Sequence, residues 1–280
     1  RFSRRNGGTA MGKTWRTVMG LVLAALFAAS AAMMLRSHLE ALASASETAE
    51  AKGLVKLPPA VTAPPEASAP PDATPAPTPT PEELEAQYIS GLLALDLGAL
   101  REKNGDVLGW IEIPGTELSY PLVQGADNYY YLTHTWKKGY NAGGAIYLDA
   151  AADPALGDFH SIIYGHRMNN DSMFGTLKYY AAQDYLEAHP SVYVALADGV
   201  YRYEVYAAFE ASVTGLVYQR DLAGREAELA ALAQDSSMVG VGVVPGEHDR
   251  LLTLSTCTAY GNRATRWVVQ CRLAHTWPQP

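Results

Sequence analysis

The chain has 280 residues, of which 48% are hydrophobic and 18% are charged. This composition predicts a folded domain with additional segments rather than a disordered protein. The formal net charge is −8, and the part from Glu82 onward holds 13 basic and 24 acidic residues. Because an acidic domain repels phosphate backbones, nucleic acid is not expected as a partner. Two cysteines are too few for a disulfide scaffold, and no cysteine–histidine cluster has the spacing of a metal site.

The N-terminal 36 residues have the pattern of a membrane anchor. Residues 1–16 carry five basic residues and no acidic one, which predicts a cytoplasmic tail. Residues 17–36 are the predicted transmembrane segment, since the uncharged run Thr17 to Leu35 would span about 29 Å as a helix, close to the ~30 Å hydrocarbon core. The preceding basic residues place the rest of the chain outside the cell by the positive-inside rule. The alternative is a cleaved signal peptide with a cleavage site near Ala29, and Met11 is an alternative first residue.

Residues 37–81 are predicted to form an extracellular linker. Positions 37–56 are polar and alanine-rich, as at a fraying helix end, and ten of the 25 residues from Leu57 to Pro81 are proline. Proline removes backbone donors and favours an extended polyproline conformation. At ~3.1 Å per residue, this stretch would hold the next domain up to about 75 Å from the membrane. We interpret it as a passive tether.

Residues 82–280 are predicted to form one mainly β domain. Thr80 and Glu83 have the spacing of a capping box, which predicts a helix that runs to about Lys103. Eight strand-like segments and two short helices follow, and many strands with few helices indicate a closed β-barrel or a sandwich. The segments with strand patterns are 107–113, 118–123, 144–148, 161–164, 192–196, 201–209, 251–254 and 267–273. The short helices are predicted at 173–180 and 221–234.

Cys257 is the first candidate for chemistry. It follows a short apolar strand in the sequence LLTLSTCTAYGNRATRWVVQCRL, at the point where the pattern turns polar. A side chain at a strand end is held by the sheet but exposed enough to react, and nearby positive charge makes a thiol nucleophilic by stabilising the thiolate. From the residues alone, an inert buried cysteine is equally compatible with the pattern. Cys271 lies mid-strand among apolar neighbours, so we expect a core residue there; a disulfide between the two would remove the nucleophile.

His166 and Arg266 are the candidate partners of that thiol. His166 ends the strand-like sequence SIIYGH, and its imidazole titrates near neutrality, which suits proton transfer to and from an amine. Arg266 precedes the next strand, which would return beside the strand of Cys257, and a guanidinium suits an anionic oxygen. Arg263 is a rival for this role, and an ordinary solvated arginine is the alternative interpretation.

Four sequence blocks follow one another along the domain. They are NGDVLGWIEIPGTELSYPLVQGADNYYYL at 104–132, GGAIYLD at 143–149, SIIYGHRMNNDSMFGTLKYY at 161–180, and TLSTC at 253–257 followed by the arginine before the WVV strand. Together these blocks resemble the class B sortases, which are transpeptidases of Gram-positive cell surfaces. The resemblance covers roughly residues 82–273 and implies an eight-stranded sortase-type barrel with an N-terminal helix, short connecting helices and a helix between the sixth and seventh strands.

The resemblance implies a catalytic triad of Cys257, His166 and Arg266. Cys257 would attack the threonine carbonyl of a C-terminal sorting signal in a secreted protein, and an amine of a peptidoglycan precursor or a pilin would resolve the thioacyl enzyme. This acyl transfer needs no metal or organic cofactor. Tyr164 and Ser255 would line the substrate groove. Some relatives carry an acidic residue directly after the cysteine, whereas this chain has Thr258 there.

Two alternatives stay open from the sequence. A cysteine protease would pass the same thioacyl intermediate to water, and a non-enzymatic cell-surface scaffold would use the anchor and the proline stalk without the three side chains. The sortase interpretation predicts a single-pass membrane protein, anchored through residues 17–36, with its catalytic domain outside the cell. Within it, the class B resemblance favours anchoring of dedicated substrates or pilin joining.

Overall fold

The computed structural model describes residues 10–57, 79–219, 222–240, 245–246, 248–258 and 261–280. The chain divides between Ala45 and Ser46 into two compact units. The proline-rich stretch predicted as a tether lies almost entirely outside the described residues, as does position 221. The helix predicted at 221–234 begins only at Glu226, because residues 222–225 are not helical.

The first helix, α1, extends from Ala10 to Val55. From Trp15 onward it is long and apolar enough to cross a membrane, and its most apolar stretch is exposed. Residues 37–55, which the sequence assigned to the linker, are helical, and Ala51 and Val55 are 0% and 1% exposed. The second compact unit therefore begins upstream of residue 82, the boundary that the sequence suggested.

Between the proline-rich stretch and the first strand lie two helices, where the sequence predicted one. Helix α2 (Pro81–Leu93) begins with the predicted capping box: Thr80 accepts the backbone N–H of Glu83, whose carboxylate accepts the backbone N–H of Thr80. Helix α3 (Leu97–Lys103) begins anew because the Asp96 side chain accepts the backbone N–H of Ala99. The prediction of one continuous helix to Lys103 is therefore wrong at this N-cap.

Eight strands close into a barrel in the order β1-β2-β3-β4-β7-β8-β6-β5, which confirms the predicted fold. The pairs β2–β3 and β4–β7 are parallel and the other neighbours are antiparallel. The strands are β1 (Val107–Glu112), β2 (Ser119–Val123), β3 (Ile146–Leu148), β4 (His160–Tyr164), β5 (Ser191–Leu196), β6 (Gly199–Ser212), β7 (Leu251–Cys257) and β8 (Thr265–Pro278). Two short α-helices are α4 (Gln183–Ala188) and α5 (Glu226–Ser236), and 3₁₀ turns occupy Tyr130–Leu132, Gly175–Ala181 and Leu216–Tyr218.

Alternation along β7 and β8 gives the barrel wall two different faces. Leu252, Leu254 and Val269 belong to the buried cluster that fills the barrel. Val268, one residue from Val269, belongs instead to a cluster that includes Leu229 and other residues of α5. The outer face of this part of the wall is therefore covered by the segment between β6 and β7, and the candidate site lies on that outer face.

Candidate active site

Parallel pairing of β4 with β7 places His166 level with Cys257. Tyr164 lies opposite Ser255 in the ladder. The pairing continues one residue past β4, because Gly165 donates its N–H to the Ser255 carbonyl (3.2 Å) and accepts the Thr256 hydroxyl at its own carbonyl (2.7 Å). His166 lies two residues after Tyr164, and Cys257 lies two residues after Ser255. Because side chains alternate along a strand, His166 and Cys257 project from the same face of the sheet.

Antiparallel pairing of β7 with β8 adds the third side chain. Cys257 and Arg266 are directly opposite each other in the last pair of this ladder. Opposite residues project from one face with Cβ atoms about 4.5–5.5 Å apart. Arg263, the rival arginine, is exposed in the connecting loop, whereas Arg266, Cys257 and His166 are half-buried. The thiol, the imidazole and the preferred guanidinium therefore meet at one edge of the barrel wall, on its outer face.

The thiol and the imidazole influence each other's titration. Their hydrogen bond is the main cause that lowers the pKa of Cys257, and the charges of Arg266, His166 and Arg167 add to it, while burial acts in the opposite direction. The same hydrogen bond raises the pKa of His166, with a further contribution from the Leu132 carbonyl. Both shifts favour the thiolate–imidazolium form of the pair, which is the nucleophilic form of cysteine.

One backbone carbonyl fixes the ring of His166. Its Nε2 lies 2.8 Å from the Leu132 carbonyl oxygen. A carbonyl oxygen only accepts hydrogen bonds, so Nε2 carries a hydrogen and Nδ1 is the nitrogen left to exchange a proton with the thiol. A hydrogen bond on one ring nitrogen sets the tautomer and the orientation of the other.

Backbone carbonyls of the β7–β8 connection hold Arg266. Its Nη1 donates to the Thr265 carbonyl at 2.8 Å and makes longer contacts of 3.5 Å with the carbonyls of Asn262 and Arg263. All these contacts use one of the three guanidinium nitrogens. Within the described residues, the other N–H groups of the fork are left to face an anionic oxygen.

Sequence reasoning missed Arg167, which follows His166 directly. Its Nη1 donates to the carbonyl of Thr258, the residue after Cys257. The contact ties the chain beyond the nucleophile to the chain beyond β4, and brings a second positive charge near the thiol. Its place beside the YGH sequence was the available signal. Leu132 could not have been found in this way, because its contribution is a backbone carbonyl.

Tyr164 and Ser255, the predicted groove residues, have different environments. Tyr164 is half-buried, donates its hydroxyl to Asp149 at 3.0 Å and lines a cavity of about 400 Å³ on the outer face. Ser255 is 2% exposed, and its hydroxyl lies 2.7 Å from that of Tyr218, which does line the cavity. A groove role for Ser255 stays a prediction. The other lining residues are Asp149, Ala151, Ala152, Asp158, Phe159, His160, Ile162, Gln219, Leu222, Ala223 and Glu226.

Cys271 is a core residue, as expected. It is completely buried within the barrel cluster, both cysteines are free thiols, and burial raises the pKa of Cys271. In the part of the chain that the structure describes, no group of three or more His, Cys, Asp or Glu residues is placed to hold a metal ion.

Comparison with known proteins identifies relatives of this chain. The Sortase domain family matches residues 111–274, which is more than half of the chain. Sortase B of Listeria monocytogenes is 33% identical over 189 residues, covering 66% of this chain and 76% of that protein. A Staphylococcus aureus sortase B–substrate complex has a TM-score of 0.58 at 25% identity, covering 63% of this chain and 83% of the other. A sortase B complexed with triglycine has a TM-score of 0.58 at 27% identity, covering 64% and 85%.

The family match includes β2 to β7, the last two residues of β1 and all but the last four residues of β8, and it contains His166, Cys257 and Arg266. Sortases are cell-surface cysteine transpeptidases, and the matched relatives are sortases B. The chain therefore belongs to the sortase family, as a class B sortase transpeptidase.

Proposed function

We propose that Cys257 is the nucleophile, His166 the proton-transfer residue and Arg266 the oxyanion stabiliser of this transpeptidase. The observation that carries the proposal is that Cys257 and Arg266 are paired across β7 and β8, while His166, two residues beyond β4, lies level with Cys257 on the same face. Arg167 contributes a further positive charge near the thiol. Cys271, the other thiol, is buried in the core and does not share this setting.

The reaction follows from the properties of the three groups. The Cys257 thiolate attacks the carbonyl carbon of the peptide bond after threonine in the sorting signal, forming a carbon–sulfur bond and an oxyanion that faces Arg266. His166 donates a proton to the leaving amine as the carbon–nitrogen bond breaks, which leaves a thioacyl enzyme. An incoming amine gives its proton to His166, attacks the thioester and releases the thiolate.

The substrates we propose are a sorting signal and an amine of a peptidoglycan precursor or a pilin. A substrate complex and a triglycine complex among the sortase B structures similar to this chain support a peptide substrate and a glycine-type amine. The cavity beside Tyr164 and Tyr218 lies on the same outer face as the site residues and has room for peptide side chains. We assign the sorting signal to this cavity.

The proposed location is the outer face of a cell membrane. Helix α1 is long and apolar enough to contain one membrane span, and the basic residues of positions 1–16 are expected to stay in the cytoplasm. Residues 46–280 would then act outside the cell on secreted substrates, with residues 17–36 as the anchor and 1–16 as the cytoplasmic tail.

The decisive test uses the full chain with a library of threonine-containing sorting peptides, with and without added triglycine. Parent protein is expected to form a thioacyl adduct on Cys257, visible by mass spectrometry, and to join the peptide to triglycine. Cys257→Ala is expected to form neither adduct nor product while keeping the parent unfolding temperature.

Two outcomes would favour the alternatives. Release of acid product alone, even with triglycine present, indicates a cysteine protease. A folded parent protein that neither cleaves any peptide nor reacts with thiol probes indicates a scaffold domain.

A further inference from the structure

The last part of α1, residues 46–55, packs in the same compact unit as the barrel; we call it the docking segment. Ala51 and Val55 are four residues apart, on one face of the helix, and are 0% and 1% exposed. They belong to a buried cluster with side chains of α2, α3 and β1, including Leu92, Leu100 and Trp110. Ala49 and Gly53, on the same segment, are exposed. The segment thus has an apolar face that covers part of the catalytic unit.

Polar contacts connect the docking segment to the chain between β2 and β3. The indole Nε1 of Trp136 donates to the Glu47 carbonyl at 3.2 Å, and the Lys137 ammonium lies 2.8 Å from the Glu50 carboxylate. The ion pair is partly exposed and contributes little to stability. Trp136 is 4% exposed, so its indole hydrogen bond and its apolar contacts are the main link.

Trp136 and the partner of His166 belong to one compact stretch, residues 130–141, which we call the histidine-contact segment. Backbone hydrogen bonds from Thr135 to Gly139 (2.8 Å) and from Asn141 to Thr133 (2.9 Å) close it. The side-chain amide of Asn104 donates to the Trp136 carbonyl at 2.6 Å and to the Tyr131 hydroxyl at 2.8 Å. These two hydrogen bonds connect the histidine-contact segment to the chain before β1. The Leu132 carbonyl within it accepts His166 Nε2. A continuous set of contacts therefore leads from the docking segment to the catalytic imidazole.

We propose that residues 46–55 are a positioning element of the active site, which holds His166 through Trp136 and the Leu132 carbonyl. The inference rests on the proposed function, since it assigns His166 its role. The C-terminal end of α1 then contributes to catalysis by positioning His166. Without its cover, Trp136 loses apolar contacts and a hydrogen-bond acceptor, the histidine-contact segment relaxes, and the carbonyl no longer fixes the ring.

The test compares two identical chemical changes on one helix in the full chain, purified in detergent. Ala51→Glu places a carboxylate in the buried cluster, whereas Ala49→Glu places it in solvent. We expect Ala51→Glu to lower kcat by between about 10-fold and 100-fold with little change in KM, because a small misplacement of a catalytic group is costly. Ala49→Glu is expected to stay within about twofold of the parent.

The pH dependence of Cys257 alkylation by iodoacetamide separates positioning from general damage and needs no peptide substrate. The hydrogen bond to Leu132 raises the pKa of His166, so its loss leaves the ring less often protonated. Because a neutral ring stabilises the Cys257 thiolate less, the midpoint of the alkylation profile moves to higher pH. The substitutions leave unchanged the charged and titratable groups around this pair, which are Arg167, Arg266, Tyr147 and Tyr218.

A folded Ala51→Glu variant with the parent kcat and the parent midpoint would overturn the proposal, and so would equal losses in both alanine variants. If Ala51→Glu does not fold, Trp136→Phe decides, since it keeps an aromatic ring in the cluster but removes the donor to Glu47 and part of the apolar contact. A smaller shift to higher pH supports the proposal, and an unshifted profile overturns it. Failure of the parent to cleave any sorting peptide would count against the proposed function alone, because the alkylation profile is still measured.

Discussion

The two cysteines of this chain lie on neighbouring strands of one barrel, in opposite environments. Cys257 ends β7, opposite Arg266, and is half-buried beside His166. Cys271 lies within β8, opposite Leu252, and is fully buried in the barrel cluster. The pKa of Cys257 is lowered by its hydrogen bond and nearby charges, whereas burial raises that of Cys271. Position in the sheet, and not the thiol itself, decides the direction in which each pKa is shifted.

The comparison depends most on His166. In His166→Gln the amide can still reach the Leu132 carbonyl, but it neither carries a proton between amines nor stabilises the thiolate by charge. We expect kcat/KM for transpeptidation to fall by about 10²–10⁴-fold. The matched control is His275→Gln, an exposed histidine of β8, with activity within about twofold of the parent. Equal activity in both variants would mean that His166 does not contribute to the reaction of Cys257.

Arg266 tests whether the paired register of β7 and β8 matters for chemistry. Arg266→Lys keeps the positive charge but removes the planar fork of donors, so we expect kcat to fall by about 10²–10³-fold. Arg263→Lys makes the same change at an exposed arginine three residues earlier and is expected to be nearly neutral. If the losses were reversed between the two variants, the oxyanion role would belong to Arg263.

The strand patterns were sufficient to predict the eight strands but left a barrel and a sandwich open, and the resemblance to class B sortases implied the barrel. Alternating and apolar runs marked each strand, and the strand-end positions of His166 and Cys257 followed from the change to polar residues. Their juxtaposition needed the pairing order, since β4 and β7 are neighbours in space while more than 80 residues separate them in sequence. The resemblance to class B sortases, rather than periodicity, implied in advance that these residues act together, but the pairing order itself was not predicted.

What the sequence did not predict has physical reasons. The break between α2 and α3 depends on one side-chain cap at Asp96, which helical periodicity does not reveal. The sequence of the docking segment has the pattern of a polar helix end, because Ala51 and Val55 are its only fully buried residues. The hold of Leu132 on His166 is a backbone contact, to which the identity of the leucine side chain contributes nothing.

A third prediction compares the two thiols directly by their alkylation rates as pH rises. Alkylation requires the thiolate, so the rate at Cys257 is expected to rise through a midpoint below that of an ordinary thiol, and to fall as pH drops through it. His166→Gln removes the largest cause of the lowered pKa and should move the midpoint to higher pH. Cys271 should stay unlabelled in the folded protein at every pH and react after denaturation. Peptide mapping by mass spectrometry distinguishes the sites, and labelling of native Cys271 at a similar rate would end the contrast.

The smallest expected effect on activity is at Cys271 itself. Cys271→Ala removes one buried sulfur and leaves a small cavity, so we expect the free energy of unfolding to fall by about 1–2 kcal/mol, measured by urea denaturation. Turnover should stay within about twofold of the parent, because the residue lies in the barrel interior, away from the outer face that carries the site. Cys271→Ser should be less stable than Cys271→Ala, since it buries a hydroxyl among apolar neighbours. A large loss of turnover in Cys271→Ala with unchanged stability would show that the interior thiol takes part in catalysis, and the division of labour between the two cysteines would be wrong.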